Sequence, residues 1–190
     1  TNRCYFCKTE LYNQLGRRLD ELEVDCIANG ANLDDQGDHR PGMVAAAEHN
    51  VRSPLLEVGI NKQDVRHLAK YWDLPVWDKP AQACLASRIP YGTVVTVEAL
   101  TQIAKAERGL RQAGFRQLRV RHHGEVARIE VPVEDLASLI DEEIRNTIVK
   151  KIREAGYLYV TMDLAGFRSG SMNEAIGVSA AQAEKSGGLL

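Results

Sequence analysis

No stretch of these 190 residues approaches the roughly 18 consecutive apolar residues that a membrane-crossing helix requires. No membrane partner is therefore expected. A secretory signal is not visible either, which points to the cytoplasm. Net charge is scarce: 24 basic side chains stand against 26 acidic ones, leaving −2. Chains that coat nucleic acid are usually basic overall, so no nucleic-acid partner is expected and any anion site must be local. Cysteine is also scarce. Four in a chain of this length do not make a disulfide scaffold, and without a secretory signal they are expected as reduced thiols or metal ligands. Internal repeats and low-complexity blocks are missing. What remains is the composition of an ordinary globular chain, 44% hydrophobic and 26% charged, long enough for one or two domains.

The placement of the thiols is informative. Cys4 and Cys7 form a CxxC in RCYFCK, and Cys84 lies far downstream in KPAQACLASRIPYG. Three thiolates are one short of a closed tetrahedral site. They suit a cubane iron–sulfur cluster with one iron left open for chemistry. Zinc would need a fourth ligand, for which Cys26, His39 and His67 are candidates, although the scattered histidines do not have zinc spacing. A redox dithiol is the weaker reading, because no thioredoxin-like strand precedes the CxxC. Cys26 sits in the apolar run VDCIA and reads as a small buried hydrophobe.

Hydropathy periods and capping residues set out the elements. Leu11, Leu15 and Leu19 recur at i, i+4 and predict a helix over residues 5–20. Residues 24–28 predict a buried strand, and ANLDDQGDHRPG a loop. Asp34, Asp35 and Asp38 in that loop either hold Mg²⁺ near phosphates or cap and turn the chain. A short helix follows in MVAAAEHN, and Asn61, with Asp64 three residues on, caps a helix through KQDVRHLAKYWDL. This order predicts an α/β domain with a parallel sheet over residues 1–80. Three prolines and a glycine over 75–93 predict an extended linker, 81–95, that carries Cys84. A smaller α+β domain is predicted over 96–175. Its helix runs from the Thr96 cap to Gly114, its hairpin turns at His123-Gly124, helical residues 134–155 break near Asp141, and YLYVTMDL is a third strand. Residues 176–190 form a tail rich in Ala, Gly and Ser.

A turn at His123-Gly124 pairs Arg119 with Arg128 and Arg121 with Val126. Alternation then puts Arg119, Arg121, Arg128 and Glu130 on one face, and Leu118, Val120, Ala127 and Ile129 on the core face. Guanidiniums crowded on one small face repel unless anions meet them, and their fork matches carboxylate and phosphate. The alternative is a solvated face on which Arg128 pairs with Glu130 or a neighbouring acid. Arg168, in DLAGFRSG, follows the third strand, where Gly166, Ser169 and Gly170 suit an anion-binding nest. Pattern does not decide whether Glu107 faces solvent or the hairpin.

The runs GANLDDQGDHRPG, PLLEVGINKQDVRHLAKYWDLPVWDKPAQACLASRIPYGT, RVRHHGEVARIE and YVTMDLAGFRSGSMN, in this order, resemble the LarE family. The resemblance covers residues 3 to about 174. It implies a PP-loop (Rossmann-like) fold of the adenine-nucleotide α-hydrolase-like superfamily and an Mg-ATP-dependent sulfur transferase. Such enzymes adenylate a carboxylate of pyridinium-3,5-biscarboxylic acid mononucleotide and replace oxygen by sulfur. Two rounds give the bisthiocarboxylic acid used in the nickel-pincer cofactor of lactate racemase. In one branch a sacrificial cysteine, here Cys84, ends as dehydroalanine. In another, three cysteines hold a 4Fe-4S cluster, and Cys4, Cys7 and Cys84 match that pattern. The family implies Arg119, Arg121 and Arg168 on phosphate or carboxylate, with Glu107 and Glu130 as polar pocket residues. It implies Ser87 and Arg88 at the reaction centre beside Cys84, and a homo-oligomer such as a hexamer. The family's SGGxDS pyrophosphate loop does not occur in these residues. Its expected place is upstream of Thr1, so the chain reads as the remainder of a longer protein, with the N-terminal part of the PP-loop domain missing. Competing assignments are another PP-loop thiolation or amidation enzyme and a non-catalytic zinc-binding module.

Overall fold

A computed structural model describes residues 2–36, 41–80 and 82–168. Asp38, His39, Ser169, Gly170 and the 176–190 tail lie outside the described residues. The chain divides into two compact units, Thr1–Lys79 and Pro80–Leu190.

The first unit contains α1 (Arg3–Gly16), α2 (Pro41–Glu48), α3 (Pro54–Glu57) and α4 (Lys62–Tyr71). Tyr12 of α1 is buried against Ala45 and Ala46 of α2 and Val51, with Tyr5 and Ile27 at the edge. Two alanines let the ring fill the space between the helices. This corrects the leucine stripe. The helix ends at Gly16, Leu11 is exposed and Leu19 lies beyond the helix. Periodicity located the helix, but the small residues of α2 decided which side is covered.

The strand expected at 24–28 is reduced to one parallel bridge, Ala28 with Arg52. Asn29 N donates to Arg52 O and Arg52 N to Ile27 O, both at 2.9 Å. With one neighbouring segment among the described residues, Val24 and Cys26 stay exposed. Cys26 is therefore not the buried hydrophobe its apolar run suggested. Asn61 and Asp64 form the expected capping box at α4. Asp35 accepts from Asn32 N at 3.0 Å, and Asp34 from Lys62 N at 2.8 Å. Both aspartates are thus used as backbone caps.

The second unit opens with one turn of 3-10 helix, Leu85–Arg88, followed by α5 (Val97–Gln112) and the strands β1 (Arg119–His123) and β2 (Val126–Glu130). After these come α6 (Leu136–Ile140), α7 (Glu142–Glu154) and β3 (Tyr159–Met162). The architecture is α/β: a small mixed sheet in the order β1-β2-β3, antiparallel then parallel, with α6 and α7 between the parallel strands. Asp141 accepts from Glu143 N and Ile144 N and starts α7, which is the expected break. The core joins Val120, Ala127 and Ile129 of the sheet to Ala106 and Leu110 of α5 and Ile148 and Ile152 of α7. Gly109 allows α7 to approach α5, since an added Cβ would stand 2.8 Å from Lys151 Cβ. The segment expected as an extended linker, 81–95, is counted with this unit, where Ile89 is buried with Ala99 and Ile103.

The hairpin register differs from expectation. Arg119 lies opposite Glu130, Arg121 opposite Arg128 and His123 opposite Val126. The turn is therefore Gly124-Glu125. Gly124 adopts φ +64°, and Glu125 has no positive φ, so the unusual backbone falls on the first central residue, where one of the favoured two-residue turns takes glycine. The face assignment survives, because the pairing moved by an even number of residues and side chains alternate with a period of two.

Candidate anion-binding site

The polar face of the hairpin is covered at Arg121 and Glu130, while Arg119 and Arg128 stay half-buried. It meets α5 and the Leu85–Arg88 turn, and four charged side chains are buried there: Arg88 at 2% exposure, Glu107 at 0%, Arg121 at 1% and Glu130 at 0%. Isolated buried ions cost several kcal/mol each, so such a cluster requires mutual pairing. Arg121 Nε and Nη2 donate to the two oxygens of Glu130, both at 2.9 Å, and Arg128 Nη2 donates to Glu130 Oε1 at 3.1 Å. Glu107 accepts from Arg88 Nε at 2.7 Å, from Arg111 Nη2 at 2.8 Å and from Val120 N at 3.3 Å. Each carboxylate thus serves two guanidiniums. Glu107, undecided from periodicity, faces the hairpin.

These pairs hold the cysteine turn. Arg88 Nη1 donates to Ala83 O at 2.8 Å, Cys84 O at 3.1 Å and Ser87 Oγ at 3.0 Å. Ser87 Oγ donates to Cys84 O at 2.8 Å, and Arg121 Nη1 to Ser87 O at 2.8 Å. The thiol of Cys84 itself is exposed.

Arg119 projects from the same face of β1. Its guanidinium carbon lies 4.5 Å from the centroid of the Phe167 ring, and among the described residues no carboxylate is hydrogen-bonded to it. Burial lowers its pKa, and the nearby charges of Arg121 and Arg88 lower it further. Asp163, just beyond β3, approaches Arg128 at 3.7 Å and Arg168 at 3.9 Å. Among the described residues, six guanidiniums (Arg88, Arg111, Arg119, Arg121, Arg128 and Arg168) meet three carboxylates (Glu107, Glu130 and Asp163), more positive charge than negative. At the far end of the hairpin, buried Tyr157 meets His122 Nδ1 at 3.0 Å. Burial pushes the phenol up to about 12 and the His122 imidazole below its ordinary value.

Ser87, Arg88, Glu107, Arg119, Arg121, Glu130 and Arg168 therefore belong to one neighbourhood in the second unit, with Cys84 on the same turn. Cys4 and Cys7 belong to the first unit, three residues apart on α1 and so on one side of it. All four cysteines are exposed and outside disulfides. Among the described residues no group of three or more His, Cys, Asp or Glu side chains is gathered for a metal ion. Sequence reasoning missed Arg111, Asp163 and Phe167. Arg111 carried a signal, its i+4 spacing from Glu107. Phe167 and Asp163 carried none beyond their nearness to Arg168.

No protein-family model matches the chain. It is 44% identical over 175 residues to an uncharacterized protein of Synechocystis sp., covering 92% of this chain and 65% of that protein. It is 36% identical over 172 residues to pyridinium-3,5-bisthiocarboxylic acid mononucleotide synthase of Lactiplantibacillus plantarum, covering 90% of this chain and 62% of the synthase. This chain is homologous to part of that synthase. An uncharacterized protein of Methanocaldococcus jannaschii is 31% identical over 167 residues, covering 88% of this chain and 64% of that protein. The chain thus spans less than two thirds of the length of each of these relatives. The similarity to the synthase supports the LarE family, as the motifs led us to expect. Among the described residues no helix is long and apolar enough to cross a membrane.

Proposed function

We propose that this chain belongs to a PP-loop, ATP-dependent sulfur transferase of the LarE family, and that its second unit binds a pyridinium mononucleotide whose carboxylates become thiocarboxylates. The observation that carries this reading is the excess of guanidinium over carboxylate around the buried network among the described residues, where no carboxylate is hydrogen-bonded to Arg119. A substrate with two ring carboxylates and a phosphate brings the missing negative charge. Arg119 and Arg168 take phosphate or carboxylate. Arg121, bound to Glu130 and Ser87 O, adds its field and steadies the cysteine turn, while Glu107 and Glu130 orient the guanidiniums. Mg-ATP activates the carboxylate: adenylation makes AMP the leaving group, and a sulfur nucleophile then displaces it.

For sulfur delivery, thiolates are what a 4Fe-4S cluster takes, and Cys4, Cys7 and Cys84, exposed thiols outside any disulfide, are the residues that would hold one. Held by these three, it would leave one iron without a protein ligand, a position able to carry sulfide. A second reading makes Cys84 the sulfur donor. It is favoured by the place of Cys84 on the clamped turn of the unit that holds the arginines. The Cys84 thiolate would then displace AMP, and elimination across Cα–Cβ would release the thiocarboxylate and leave dehydroalanine.

Anaerobic reconstitution with iron and labile-sulfide analysis separates the two. The cluster reading expects about four irons per chain and loss of most of that iron in Cys4→Ala, Cys7→Ala or Cys84→Ala. No iron uptake, with Cys84 about 34 Da lighter after turnover by mass spectrometry, assigns the sacrificial route. Zinc alone, without iron, sulfide or turnover, overturns both.

A further inference from the structure

The other guanidiniums of the cluster have carboxylate partners: Arg88 and Arg111 bond Glu107, Arg121 and Arg128 bond Glu130, and Arg168 pairs with Asp163 at 3.9 Å. Arg119 is the exception, stacked on the Phe167 ring. The two ways of holding a guanidinium differ in what they leave over. A carboxylate takes in-plane N–H donors and cancels the charge. An aromatic face attracts the cation through the ring quadrupole and leaves both the donors and the charge unspent. Phe167 is itself well fixed. Its backbone N donates to Val131 O at 2.7 Å. Gly166 before it adopts φ +70° in buried contact with the Val131–Val133 backbone, where an added Cβ would stand 2.8 Å from Val133 Cγ2.

We propose that Phe167 is a positioning residue, which holds Arg119 by its ring face so that the guanidinium stays charged and uncommitted until an anionic group of the substrate arrives. This rests on the anion-site reading above. An aliphatic side chain at 167 would fill similar space but would not orient the cation, and Arg119 would then lose rotamer freedom on binding. The ring thus prepays part of that ordering.

Phosphate binding to the intact protein tests this, with inorganic phosphate as the calorimetric probe and KM and kcat for the mononucleotide as the kinetic readout. Phe167→Leu should weaken phosphate binding about 3- to 10-fold and raise KM by a similar factor, with kcat moving less. Phe167→Tyr, which keeps the ring, should restore both. In an Arg119→Ala background the Phe167→Leu effect should vanish, because the ring then has no cation to hold. If Phe167→Leu proves unfolded, Phe167→Met, a flexible side chain of similar bulk without a ring, is read on the same scale. Unchanged affinity in the ring-less variant, while Arg119→Ala still weakens binding, overturns the role of Phe167 and leaves the anion site standing. A Phe167→Leu effect that persists without Arg119 also overturns it, since Phe167 would then act through the fold. No effect of Arg119→Ala refutes the anion site and this inference together.

Discussion

Glu107→Gln removes one buried charge from the network and keeps the shape of the side chain. Glu107 has 0% exposure, and its closest contact is Arg88 Nε at 2.7 Å. Arg88, at 2% exposure, would lose its counter-ion with no route to water, whereas the more exposed Arg111 side chain can turn outward. Breaking one side of a buried pair costs about 3–5 kcal/mol. The amide oxygen of Gln can still accept one bond, so the expected loss is near the lower end, about 3 kcal/mol, a large part of the stability of a small domain. Adding Arg88→Met removes the uncompensated ion, and most of the lost stability should return. Activity should not return with it, because Arg88 is the group that ties the carbonyls of Ala83 and Cys84. Urea denaturation followed by circular dichroism measures the first effect, and thiocarboxylate formation by mass spectrometry the second. A loss below about 1 kcal/mol in Glu107→Gln, the size typical of a solvent-exposed pair, would refute the buried pairing. A double variant no more stable than the single one would refute it equally.

Arg119→Ala should weaken substrate binding about 10- to 150-fold, the effect of one lost charge-assisted bond, with little change in stability or iron content. Arg121→Ala should also lower stability, because it takes the two-pronged partner from Glu130, buried at 0% exposure, and leaves it the single bond from the partly exposed Arg128; equal melting temperatures for the two variants would count against the Arg121–Glu130 pair. Gly166→Ala forces a side chain into a positive φ and against Val131 O and Val133, so it should destabilise the second unit by about 1–3 kcal/mol and weaken substrate binding through Phe167; wild-type melting and affinity would refute this. Stability should fall as pH drops below about 6.5, because burial lowers the His122 pKa in the folded state and the unfolded chain takes up the proton first; His122→Gln should flatten that slope, and an unchanged slope removes His122 as its source.

The elements and their caps were readable because the interactions that make them are local. Asn61 with Asp64, Thr96 with Ala99, and Asp141 with Ile144 all act across three residues, so the sequence alone contains both partners. Alternation likewise assigned Leu118, Val120, Ala127 and Ile129 to the core face, and all four are buried. The hairpin register escaped, since His123-Gly124 and Gly124-Glu125 give the same faces and only the backbone at Gly124 distinguishes them. The cover over Tyr12 and the exposure of Cys26 escaped for a related reason: which face of an element is covered depends on its neighbour.

The sequence by itself determined that arginines would crowd one face of a hairpin and that Glu130 would share it. It left open whether that face met solvent, a ligand or the protein's own acids. The tertiary structure decided this by packing α5 and the Leu85–Arg88 turn onto β1, with residue 107 brought to residues 88 and 120. A buried guanidinium cannot shed its charge, so burial selected the pairings with Glu107 and Glu130. Arg119, stacked on Phe167 from beyond the third strand, is held by neither of those carboxylates, and that assignment depends on contacts 48 residues apart in sequence, beyond the reach of any local pattern.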